Sequence, residues 1–189
     1  MFSGDSLESI CFKGKPVNAS VFTAENSNTF NDSLTTITWP SPTNAVDSGV
    51  DLIYSLPELK FLTINCNNGV DTGIMAYSQL EKLEFLKLNK VKGIGTQEIS
   101  SLSQLRVIDI VQDSNSEQAI ISSGAITNCS NLEVVNIYKI SGSPIQIQSS
   151  AFSGSNSNLK ITVPFGTLEE YKTASPSYAS IMVERTEVK

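Results

Sequence analysis

The 189-residue chain contains no histidine. That absence removes Ser-His-Asp and Cys-His nucleophilic pairs, His-ligated zinc and any imidazole proton shuttle. Cysteine is scarce: Cys11, Cys66 and Cys129 are far apart, odd in number and never in a CxxC pair. Neither a disulfide framework nor a zinc knuckle follows, and at most one bridge can form. Basic residues are few, 13 Lys+Arg against 19 Asp+Glu for a formal charge of -6, and they form no stripe. Nucleic acid is therefore not an expected partner. No run approaches the roughly 20 apolar residues of a membrane span. The opening Met1-Phe2-Ser3-Gly4-Asp5-Ser6 also lacks the basic start and apolar run of an export signal, so the chain reads as soluble, with any such signal removed or never present. What is abundant is small and polar: 28 Ser, 15 Asn and 14 Thr, beside 40% hydrophobic residues. That mixture suits turns and strand faces around one medium core, and residues 1–189 read as one domain.

A repeat organises this composition. The pattern Leu-x-x-apolar-x-apolar occurs at Leu7/Ile10/Phe12, Leu34/Ile37/Trp39, Leu59/Leu62/Ile64, Leu83/Leu86/Leu88, Leu105/Ile108/Ile110 and Leu132/Val135/Ile137. A seventh copy, Leu159/Ile161/Val163, is one residue short, and the leading leucines step by 22 to 27 residues. Such spacing lies in the range of leucine-rich repeats, each supplying one short strand and an irregular return. Alternate residues of a strand point to one side, so the triplets face a shared interior that no single repeat can close. Several strands are preceded by a small residue, an apolar residue and a polar turn, as in Ala125-Ile126-Thr127-Asn128 and Ala151-Phe152-Ser153-Gly154. The expected fold is an α/β-type repeat solenoid, mainly β. It has one short parallel strand per coil, near residues 7–12, 34–39, 59–64, 83–88, 105–110, 132–137 and 159–163. Residues 41–49 and 112–117 read as surface turns.

The last part changes character. In Thr167-Leu168-Glu169-Glu170-Tyr171-Lys172 the Thr and the Glu three residues on have capping-box spacing, and Ser175-Pro176 stops the helix. Ile181-Met182-Val183 follows as a short strand, so residues 164–183 read as a helix–strand cap over the open end. Met1 begins in mid-repeat with no cap, which leads us to expect a fragment of a longer chain.

The Ala-Phe turns, the Leu-x-x-Ile-x-Ile strands and the closing Val163-Pro164-Phe165-Gly166-Thr167-Leu168-Glu169-Glu170-Tyr171 resemble the BspA-like branch of leucine-rich repeats. The segments Ile74-Met75-Ala76-Tyr77 and Glu98-Ile99-Ser100 depart from the Ala-Phe turn. The resemblance implies a secreted or cell-surface adhesion module of the kind found in gut and oral Bacteroidetes and in some parasitic protists. Its implied ligand is a host or bacterial protein, and it implies no catalytic residues and no cofactor.

Aligning the strands puts outward positions in columns. The first holds Phe61, Phe85, Val107 and Val134, four apolar residues on a face expected to be wet, which marks a candidate binding stripe. Lys87, Asp109, Asn136 and Tyr138 flank it as further candidate binding residues. The competing readings are a loop after Trp39 or Asn65 folded over the stripe, or a register off by one. Lys87 and Asp109 read as a cross-strand pair rather than an acid-base couple. Carbohydrate recognition through Phe61, Phe85 and Tyr138 is the alternative within binding, and a structural spacer the alternative outside it. Lys82, Lys87, Lys90, Lys92 and Arg106 mix with Glu81, Glu84, Glu98 and Asp109 and read as a solvated face. Asp47, Asp51 and Asp71 fit no calcium loop, so no metal site is expected. The triplets at Asn18, Asn31 and Asn128 match the glycosylation pattern at the rate expected of a Ser/Asn-rich chain. Cys129 reads as a small buried apolar residue, and Cys11 as an outward, reactive one.

Overall fold

The computed structural model of the chain describes residues 9–11, 36–40, 60–65, 80–91, 93–97, 99–112, 118–138 and 142–186. Within them the fold is mainly β, with parallel strands in three sheets and little helix. Thirteen strands are present: β1 (Ser9–Cys11), β2 (Thr36–Pro40), β3 (Phe61–Asn65), β4 (Phe85–Val91), β5 (Gly93–Ile94), β6 (Ile99–Ser100), β7 (Val107–Gln112), β8 (Ile120–Ile121), β9 (Ile126–Thr127), β10 (Val134–Tyr138), β11 (Gln146–Ile147), β12 (Lys160–Val163) and β13 (Met182–Glu184). The large sheet runs β1-β2-β3-β4-β7-β10-β12-β13, the second β11-β8-β5, and the third pairs β6 with β9. Every pairing among the described residues is parallel, and the large sheet keeps chain order throughout. From β4 to β9 the chain visits the three sheets in turn, twice over.

The apolar triplets make the core. Leu62, Leu86, Leu88, Ile108, Ile110, Val135, Ile137, Ile161 and Val163 are buried, as alternation on a one-sided strand requires. The strands begin later than the leading leucines. Leu83, Leu105 and Leu132 lie in turns just before β4, β7 and β10, each donating its N–H to the carbonyl three residues back. They are buried all the same. Ala125, Ile126, Ala151 and Phe152 belong to the same buried cluster.

The two-residue strands were not expected from the sequence, because two residues carry no period. Their corners use left-handed backbone at matching places: Gln97, Gly124 and Ser150 at one, Ser101, Asn128 and Gly154 at the next. These corners hydrogen-bond in series. Gln97 N–H donates to Gly124 O at 2.8 Å, Gly124 N–H to Ser150 O at 3.0 Å, and Asn128 N–H to Ser153 O at 2.9 Å. Hydroxyls add a second line, with Thr96 Oγ1 donating to Ser123 O and Ser123 Oγ to Ser149 O. Part of the serine and threonine content is thereby accounted for. Gly154, at φ 72°, has the tightest corner, since a Cβ there would stand 2.3 Å from Asn128 Oδ1.

The C-terminal segment is α1 (Leu168–Ala174), a 3-10 turn (Pro176–Ile181) and β13. The expected capping box does not form. Thr167 holds the N-cap position, but its hydroxyl donates back to Pro164 O at 2.6 Å and caps nothing. Instead the segment finishes the sheets. β13 pairs with β12, Ser175 Oγ accepts from Ile147 N–H at 2.8 Å, and Tyr178 Oη accepts from Phe152 N–H at 3.2 Å. Gln112, expected at the start of a surface turn, is a buried strand residue whose Nε2 donates to Ser143 O at 3.1 Å. Residues 41–49 and 113–117, Leu7, Cys66, Asp47, Asp51, Asp71, Asn18 and Asn31 lie outside the described residues, as does the side chain of Cys11.

Candidate functional site

The register places the stripe on consecutive strands. Phe61 pairs with Phe85, Phe85 with Val107, and Val107 with Val134, which is followed by Lys160 of β12. Phe61 is 43% exposed, while Phe85, Val107 and Val134 are half-buried. The two rings lie 6.4 Å apart, tilted by 43°, within the range of favourable aromatic pairs. The outward face thus carries a continuous apolar row four strands wide.

Beside it runs a polar row that differs from expectation. Lys87 and Asp109 are opposite each other in register, yet no ion pair joins them among the described residues. Asp109 instead accepts from Asn136 Nδ2 at 2.8 Å, and Asn136 Oδ1 accepts from Thr162 Oγ1 at 2.7 Å. The amide has one acceptor and one donor end, so it relays a directional chain across β7, β10 and β12 that a Lys–Asp pair would not. Asp109 is nearly covered in consequence, at 9% exposure, rather than outward and open.

Tyr138 is 37% exposed, but Arg185 covers one ring face, its guanidinium carbon 3.9 Å from the centroid. The same guanidinium donates to Ile137 O. One face of Tyr138 is therefore already occupied by a cation.

On the other flank the residues before the strands form exposed ion pairs, in which Glu84 and Arg106 of the mixed-charge face meet Lys60 and Glu133. Lys60 meets Glu84 at 3.3 Å, and Arg106 meets Glu133 through Nε and Nη2 at 3.0 and 2.8 Å. Equal offsets from the apolar triplets would have revealed this alternation of sign. Nearby, Lys60, Glu81, Lys82, Glu84, Ser103 and Gln104 line an open depression of about 530 Å³. Its lining is polar and it opens to solvent, unlike the enclosed apolar pockets that hold small ligands.

Among the described residues no cluster of three or more Cys, Asp or Glu could hold a metal ion. No helix there is long and apolar enough to cross a membrane. Cys129 is buried, and burial pushes its thiol upward, against a smaller downward pull from the Leu102 backbone. Such a thiol is a poor nucleophile. The chain matches no known protein family, no curated protein and no solved structure.

Proposed function

We propose that the chain is a non-catalytic protein-binding or adhesion module at the cell surface or outside the cell, built as a leucine-rich-repeat solenoid of the BspA-like kind. Support for the coil comes from the in-order parallel sheet and from the chain's successive visits to three sheets. The observation that carries the binding reading is the exposed Phe61 with Phe85 beside it, at the head of a four-residue apolar row flanked by polar groups. Interfaces have this arrangement, with anchors at the centre and a polar rim. Carbohydrate recognition has less support, because Arg185 occupies one face of the Tyr138 ring needed for stacking.

The test is the Phe61→Ser/Phe85→Ser double variant, assayed with candidate host and bacterial surface proteins. Binding should weaken by at least about 2 kcal/mol, as for hot-spot anchors. Melting should change little, since half-exposed residues carry little stability. A large drop in melting temperature with binding unchanged would make the row an internal contact and remove it as the site.

A further inference from the structure

We propose that the row Phe61, Phe85, Val107, Val134 and Lys160 receives an amphipathic helix of a partner protein, laid across the strands and carrying an acidic residue where it meets Lys160. This rests on the row being a binding surface, and goes further by naming the shape and charge of its occupant.

The argument is one of spacing. Adjacent strands lie about 4.8 Å apart, so the four apolar residues from β3 to β10 span about 14 Å. A helix rises 1.5 Å per residue, so side chains at i, i+3, i+7 and i+10 span about 15 Å on one face. The two rulers agree to within an ångström over four contacts. An extended peptide laid the same way repeats its facing side chains about every 6.7 Å, and its fourth would overshoot β10 by more than a strand. A helix can thus set one apolar residue on each strand, whereas an extended chain cannot.

Charge fixes the end. Along the strand-start flank, Lys60–Glu84 and Arg106–Glu133 neutralise each other. Lys87 faces Asp109 in register. Lys160, which continues the row beyond Val134, is exposed and has no ion-pair partner among the described residues. The charge left at that end of the row is positive, and a partner residue one turn past the last anchor, at i+14, would answer it with a carboxylate.

The probe is a synthetic helical peptide with Leu at i, i+3, i+7 and i+10 and Glu at i+14, set against a peptide of equal composition whose Leu residues alternate. Both are titrated into isotope-labelled protein, with shifts read at Phe61, Phe85, Val107, Val134 and Lys160. The helical peptide should bind at least about tenfold more tightly and move all five positions. Changing its Glu to Lys should weaken binding by about two- to five-fold, the scale of an exposed ion pair. Lys160→Glu should restore it. Tighter binding by the alternating peptide, lost in Phe61→Ser/Phe85→Ser, would overturn the helix while leaving the row as a site. If neither peptide moves these positions up to millimolar concentration, the row itself is overturned as a site.

Discussion

Tyr171 is a phenol packed out of solvent, and its oxygen lies toward the Ile145 backbone without closing a hydrogen bond. Burial pushes its pKa up to about 12, with the nearby Ile145 backbone and Arg185 pulling the other way by less. The folded protein therefore keeps a proton that the unfolded chain releases near pH 10. By linkage, the stability tied to this group is complete below pH 10 and is lost as the pH climbs toward 12. Denaturant melts at pH 8 and pH 11 should show the loss. Tyr171→Phe should shrink it and, by removing an unsatisfied buried hydroxyl, leave the protein as stable or about 1 kcal/mol more stable at pH 8. Equal alkaline losses in both proteins would assign the effect elsewhere. At core positions the cost runs the other way: Ile108→Ala, at a site with no solvent exposure, should lower stability by about 2–5 kcal/mol in a urea titration.

The strands of the large sheet were legible from their alternating triplets, because a one-sided strand must repeat every second residue. Their register follows from aligning the apolar pairs that end each triplet, and the structure pairs Phe61 with Phe85 and Asn136 with Thr162 as those columns imply. Beyond the two-residue strands, two things were not legible. Asp109 chose Asn136 over Lys87, a choice between two neighbours that spacing alone does not rank. In the C-terminal segment, Thr167 has capping-box spacing and caps nothing. The residues that matter are Ser175 and Tyr178, which satisfy N–H groups 28 and 26 residues away. No local window holds both ends of such a bond. Ser175→Ala should leave Ile147 N–H buried without a partner, at a cost of about 1–3 kcal/mol. A shifted urea midpoint with unchanged slope is the expected signature, and an unshifted midpoint would mean that another group takes the bond.

At the scale of the whole molecule, several side-chain bonds among the described residues link positions 25 to 31 apart: Ser123 to Gln148 and Ser149, Asn136 to Asp109, Asn131 to Ser103, and Gln112 to Ser143. In the coil proposed above each strand answers mainly to its neighbours, and such arrays fail first at an end. Removing residues 164–189 should expose β12 and the edge of β11, and the shortened protein should aggregate or unfold over a broad range. Unaltered, cooperative melting as a monomer would make the segment a mere appendage. Arg185 breaks the even spacing. It sits just past β13, but its side chain reaches the ring of Tyr138 and, 48 residues back, the carbonyl of Ile137 in β10, stepping over β12. A stitch that skips a strand couples the opening of the two outermost ones. Amide exchange at β12 and β13 should then proceed as one event with a shared protection factor, and in Arg185→Ala it should divide, with β13 exchanging first and β12 later. Coupled in this way, the end of the sheet should fray two strands at a time, so a momentary opening there would release a wider edge than a single strand, and release it less often.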